Sequence, residues 1–147
     1  MRVTLAREPD LGRGDGIAVR VPSLQVIRRC VVHELSIAEA IVSTVLEAVG
    51  DASVETVEVT VGALAGVVPS ALEFAWQVAT DRTALAGSSL EIEYVPTVIF
   101  CAGCDALVRP EVGFMCPTCG ALSGDLRAGR ELEVRAARLS DAAEARK

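Results

Sequence analysis

The chain reads as an α+β protein: two helices packed on a small mixed three-stranded sheet, with a four-cysteine module inserted between the last two strands. Three observations predict this. Two stretches carry apolar residues at helical spacing, three carry strict apolar/polar alternation, and two Cys-x-x-Cys pairs separate the last two alternating segments. Helices laid on one face of a sheet bury both kinds of stripe together.

Residues 1–31 differ from the remainder. Leu11-Gly-Arg-Gly-Asp-Gly16 is polar, glycine-dense and without periodicity, so the segment is expected to be a poorly ordered leader, or to precede the true start. The first helix is expected from about Ser36, where Ser36 and Glu39 have capping-box spacing. Ile37, Ile41, Val45 and Val49 follow at four-residue intervals, Val42 and Leu46 widen the stripe, and Gly50 is placed to stop it. Val57, Val59 and Val61 then alternate with Glu58 and Thr60 as a half-buried strand. Gly62–Val68 is a loop of small residues. Pro69 and Ser70 open a second helix with Leu72, Ala75, Trp76 and Ala79 on its apolar side. Leu90, Ile92 and Tyr94 mark a second strand that Pro96 interrupts; Leu132, Val134 and Ala136, alternating with Glu133 and Arg135, mark the last. The expected divisions are an α+β domain of residues 32–98 plus 128–139, a cysteine module of residues 99–127 and a flexible tail of residues 140–147.

Cys101-Ala-Gly-Cys104 and Cys116-Pro-Thr-Cys119 read C-x2-C-x11-C-x2-C, the spacing of two short knuckles closing on one tetrahedral ion. Four soft thiolates favour zinc over any hard cation. Gly103, Pro117 and Gly120 give each pair a tight-turn context that lets both sulfurs point inward. With Cys101, Cys104, Cys116 and Cys119 all ligands, no position is left for water, so the site is structural and the module is zinc-ribbon-like. Two disulfides would require an oxidising compartment for which nothing else in the sequence speaks. The fifth cysteine, Cys30, has no obvious partner.

Composition narrows the functions. Of the 147 residues 51% are hydrophobic but only 3% aromatic, so the core must be built from Val, Leu, Ile and Ala. No apolar run approaches the ~20 residues that span a bilayer, and Arg20 and Pro22 break the one apolar stretch that could imitate a signal peptide. A cytoplasmic, membrane-free protein is expected. Residues 1–31 carry a formal charge of +3 and residues 32–147 one of −9. An acidic body argues against nucleic acid, whose phosphates are met by Lys and Arg. No nucleophile elbow, phosphate-cradling loop or second histidine supports an enzyme. Glu91 and Glu93 read as the solvated face of a strand.

His33 is the single histidine, and it stands directly before the first helix. Val32-His33-Glu34-Leu35-Ser36 with Ile37-Ala38-Glu39-Ala40, then Val61-Gly-Ala-Leu-Ala-Gly-Val-Val-Pro69, then the two cysteine pairs, resemble the HypA/HybF hydrogenase nickel-incorporation proteins over about residues 32–139. The resemblance implies a non-enzymatic metallochaperone that delivers Ni(II) to the large subunit of a [NiFe] hydrogenase and works with a HypB-type GTPase; a homodimer is left open. It implies structural Zn2+ and transient Ni2+. Nickel in this family is held by the N-terminal amine, nearby backbone nitrogens and the imidazole after the initial Met, which carries over to His33 and Glu34. Such a nitrogen-rich, planar donor set suits Ni(II) on chemical grounds.

Two departures stand out. Val32 occupies the place of the family's initial Met, and 31 residues precede it. A GTG start at Val32 fits both, and 13 Arg against a single Lys is what GC-rich coding gives. Where some relatives place an additional carboxylate ligand near the second helix, this chain has Ser70, with Glu73 one turn later. Two other classes remain open at this stage. Cys116-Pro-Thr-Cys119-Gly120 also resembles a rubredoxin knuckle, which would make an iron electron-transfer protein, and a zinc-ribbon adaptor for other proteins is the third reading.

Overall fold

A computed structural model describes residues 18–20 and 34–140. In order these form β1 (Ala18–Arg20), α1 (Glu34–Val49), β2 (Val54–Gly62), α2 (Pro69–Thr80), β3 (Ser89–Val95), β4 (Val98–Cys101), β5 (Ala106–Val108), β6 (Leu126–Ala128) and β7 (Leu132–Leu139). Both helices follow their apolar spacing. Ile37, Ala38, Ile41, Val42 and Val45 are the buried side of α1. Gly50, at φ +60°, donates its N–H to the Leu46 carbonyl at 2.9 Å and ends the helix in the left-handed conformation that glycine permits. The helix begins at Glu34, two residues earlier than the capping-box spacing suggests, and Ser36 is an exposed residue of its first turn. An acidic residue in that turn is favoured by the helix dipole. Pro69 occupies the first turn of α2, where its missing N–H costs nothing. Leu72, Ala75 and Trp76 pack inward.

The main sheet runs β1-β7-β2-β3, with β2 and β3 parallel and β7 antiparallel to both β1 and β2. Val57, Val59 and Val61 lie level with Leu90, Ile92 and Tyr94. The first five join the helices and the buried Leu85 in one core, while Tyr94 stays exposed. Trp76 completes the core and donates its indole N–H to the Ser88 carbonyl at 3.2 Å. The opposite face of β2 is polar. Thr56 and Thr60 are nearly buried there, and their hydroxyls meet Ser89 and Glu93 on β3.

Two expectations change, and one feature is added. The sheet has four strands, not three, because Ala18–Arg20, within the stretch read as a leader, pairs antiparallel with β7. The glycine-dense run stops at Gly16, and the short apolar stretch after it is able to cover an edge. The inward face of β7 switches partway: Val134 is buried, but the next inward residue is Ala137, not Ala136. The register jumps from Glu58 opposite Ala136 to Val59 opposite Val134, so Arg135 forms a bulge that inverts the alternation. The cysteine module contains a sheet of its own, ordered β5-β4-β6.

Candidate metal centre

Each Cys-x-x-Cys pair sits at a chain reversal. β4 ends at Cys101, the chain turns through Cys104, and Ala106 of β5 returns opposite Cys101. Asp105, directly after that pair, has φ +48°. In the second pair the equivalent residue is Gly120 at φ +73°; its N–H donates to the Cys116 carbonyl at 2.9 Å, and the Cys116 N–H donates to Ala121 O at 2.8 Å. Both knuckles thus close through a left-handed residue, which Asp and Gly tolerate better than other types.

The reversals bring the four sulfurs together. All lie within 4.8 Å of one another; Cys101 Sγ is 3.5 Å from Cys119 Sγ, and Cys104 Sγ is 3.9 Å from Cys116 Sγ. Zn–S bonds of about 2.3 Å in a tetrahedron require sulfurs roughly 3.8 Å apart. A disulfide needs about 2.05 Å, and all four thiols are free. The donor set and its spacing therefore fit a thiophilic, tetrahedral cation. Gly103 lies against the sulfurs: a methyl group there would make ordinary contacts of 3.7 Å to Cys119 Sγ and 3.9 Å to Cys101 Sγ.

Proton affinities within the cluster diverge. The N–H groups of Cys119 and Thr118 pull Cys116 down to about 6. Hydrogen bonding to Cys119 pushes Cys104 up to about 12, with burial and the bonds to Cys116 and Cys101 adding to it. A thiophilic cation held by Cys101, Cys104, Cys116 and Cys119 would take the place of those protons. Around the sulfurs, Ser123 ties the knuckles together: its hydroxyl donates to Phe100 O at 2.5 Å and its N–H to Phe114 O at 3.0 Å. Arg127 holds Asp125 with two hydrogen bonds of 2.7 and 2.8 Å, keeping that carboxyl below its ordinary value, and lies over the Phe100 ring at 5.3 Å. Apolar burial contributes little here. Between Val98 and Ala128 the buried hydrophobic side chains are Ile99, Cys101 and Cys116, two of them ligands, whereas Val112, Phe114, Met115 and Leu122 are exposed.

A close backbone crossing joins this module to the main sheet. A Cβ on Gly62 would lie 2.3 Å from both C and O of Gly129 and 2.7 Å from Arg130 N. Gly62 N–H donates to Glu131 O at 2.7 Å, Leu64 N–H to Gly129 O at 2.6 Å and Ala63 N–H to Val95 O at 2.8 Å. Gly129, at φ +117°, packs on Thr97 in turn. The sequence marks Gly62 only as the start of a small-residue loop; a glycine ending a valine-rich strand is the signal of close backbone approach that was there to be read.

The remaining expected ligands are placed less fully. His33 and Val32 lie outside the described residues. Glu34 is the half-buried first residue of α1, while Ser70 and Glu73 are exposed on α2. Among the described residues the cysteine cluster is the one group of three or more His, Cys, Asp or Glu side chains close enough to share an ion.

Fold and site together define a small α+β protein with a four-cysteine cluster able to hold a metal ion. The family described as "Hydrogenase/urease nickel incorporation, metallochaperone, hypA" matches residues 32–139. A "Hydrogenase maturation factor HypA" from Chloroflexus aurantiacus is 45% identical over 108 residues, spanning 69% of this chain and 94% of that protein. A "Guanidine hydrolase-activating protein A" from Synechocystis is 37% identical over 109 residues, spanning 69% and 90%. A solved structure titled "Solution structure of HypA protein" shares the fold with a TM-score of 0.52, at 16% identity and coverage of 74% of this chain and 96% of that one. The chain belongs to the HypA/HybF family of hydrogenase-maturation nickel chaperones, whose members are metallochaperones and not enzymes.

Proposed function

We propose that this protein carries Ni(II) to the large subunit of a [NiFe] hydrogenase, in concert with a HypB-type GTPase, while a structural Zn2+ occupies the four-cysteine site. The observation that carries the reading is where the family match begins, at Val32-His33-Glu34. The His33 imidazole, the Glu34 backbone nitrogen and an amine at position 32 supply the nitrogen donors that Ni(II) prefers in a planar array. The start of α1 at Glu34 supports it, since the donors then run up to the first residue of a rigid helix. Zinc in the cysteine site supplies structure alone, because four protein thiolates leave no coordination position for a substrate. Free thiols in such a cluster fit a reducing, cytoplasmic setting. The client is part of the proposal: similar proteins are named for hydrogenase maturation and for guanidine hydrolase activation.

The test is a Ni(II) titration of zinc-loaded protein in two forms, the 147-residue chain and a form that begins with Met at position 32. One nickel equivalent bound by the short form and lost in His33→Ala is the expected result. Nickel binding by neither form, with zinc retained, would overturn the reading. A red protein containing iron would move the assignment to electron transfer.

A further inference from the structure

β3 ends the four-stranded sheet, and among the described residues no strand pairs with its outer edge. Alternate N–H and C=O groups along Ser89–Val95 are therefore left without a ladder partner. The side chains of this edge divide by face. Leu90, Ile92 and Tyr94 lie level with the core valines of β2, whereas Ser89, Glu91 and Glu93 lie level with Thr56, Glu58 and Thr60. The apolar row is unfinished at the edge, with Leu90 and Ile92 only partly buried and Tyr94 56% exposed. On the polar face Glu93 is paired with Arg135 and Glu58 with Arg138. Glu91 has neither a cation nor a hydrogen-bond partner among the described residues. Beside it opens a groove of about 240 Å³ lined by Glu58, Glu91, Glu93, Arg135 and Arg138.

We propose that this edge receives an extended segment of a partner protein that alternates basic and apolar residues and adds to the sheet beside β3. Backbone hydrogen bonds to the free edge supply attachment, and side-chain alternation supplies selectivity. Apolar residues of the added strand cover Leu90, Ile92 and Tyr94, while its Lys or Arg side chains neutralise Glu91 and reach into the groove. A second copy of this chain fits poorly. Antiparallel pairing of two β3 strands centred on Ile92 sets Glu91 opposite Glu93 of the other copy, twice, and directly opposed like charges destabilise a sheet. The glutamates thus guard the edge against self-association and leave it open to a strand of opposite charge. The nickel site plays no part in this argument, so the two proposals fail independently.

The test uses the zinc-loaded full chain and a labelled nine-residue peptide of alternating lysine and valine. Controls are a peptide of the same composition with its lysines contiguous, and one that alternates glutamate and valine. Fluorescence anisotropy reads affinity and amide hydrogen exchange reads location. The expected result is binding of the alternating basic peptide, with exchange of alternate amides in Ser89–Val95 slowed about tenfold or more. Glu91→Lys, which breaks no internal ion pair, should weaken binding about fivefold without shifting the thermal midpoint. Equal binding of the glutamate peptide, protection confined to other strands, or unchanged affinity in Glu91→Lys would overturn the proposal. Protection of Ser89–Val95 by the peptide seen only after residues 1–31 are removed would also overturn it, by showing that the chain's own segment occupies this edge, whereas removing β1 opens the edge of β7.

Discussion

Gly62→Ala is the sharpest test of how the cysteine module is joined to the sheet. The added Cβ would stand 2.3 Å from the carbonyl carbon and oxygen of Gly129 and 2.7 Å from Arg130 N. Carbon contacts settle near 3.5–4.0 Å, so one backbone must retreat by roughly 1 Å. No flexible side chain is available to absorb the move. Overpacking of this kind costs about 1–3 kcal/mol. The retreat also stretches the bonds from Gly62 N–H to Glu131 O, 2.7 Å, and from Leu64 N–H to Gly129 O, 2.6 Å. Each is worth about 1 kcal/mol net. A loss of about 3 kcal/mol follows, and with a urea slope of about 2 kcal/mol/M the midpoint falls by about 1.5 M. The assay is urea denaturation of zinc-saturated protein followed by Trp76 fluorescence. Gly124→Ala is the control, since its Cβ would meet nothing within 4 Å and its φ is not in the left-handed region; that variant should stay within about 0.5 kcal/mol of wild type. If Gly62→Ala moves the midpoint by less than ~0.3 M, the crossing is looser than the distances say and the reasoning fails.

Three further outcomes follow from the same geometry. Gly120→Ala forces a side chain into φ +73° at a cost of about 1–2 kcal/mol and should weaken zinc about tenfold in competition with a chromophoric chelator, whereas Asp105→Gly should bind as tightly or tighter. Trp76→Ala empties a site that is 2% exposed and removes the bond to Ser88 O; thermal denaturation should show a loss of about 3–5 kcal/mol. Metal capture should release thiol protons, because the ligands bind as thiolates; calorimetry in buffers of different ionisation enthalpy should count more protons released, and affinity should fall, as pH is lowered.

The legible parts of this fold are those where one local signal decides the outcome. Ile37 to Val45 at helical spacing, Pro69 at a helix start, and valines alternating through Val61 each commit a segment without help from elsewhere. The cysteine spacing likewise predicts four sulfurs in one place, because two knuckles leave the chain few alternatives. What was hidden depends on partners distant in sequence. The bulge at Arg135 has no mark in β7 itself; it arises from the register against Glu58 and Val59, and it turns Ala137 inward in place of Ala136. β1 is three residues long and exists only because β7 offers an edge. The short strands β4, β5 and β6 are shaped by the knuckles between them, so no periodicity announces them.

Under the proposed function the structural cation and the cargo have to occupy different places, and the burial pattern gives the reason. Between Val98 and Ala128 only Ile99 is a buried hydrophobic residue that is not also a ligand. A module with so little apolar core cannot offset its chain entropy by packing. A cation closing Cys101, Cys104, Cys116 and Cys119 would supply the difference; structural zinc sites contribute an apparent binding free energy of about 10–16 kcal/mol. An ion released from this site would take the fold of the module with it, so each delivery would cost an unfolding. A carrier whose task is release therefore needs a second site whose occupancy the fold does not depend on. The donors proposed at positions 32–34 would meet that condition, because α1 is held in the main core by Ile37, Ile41 and Val45, independently of any metal at its start.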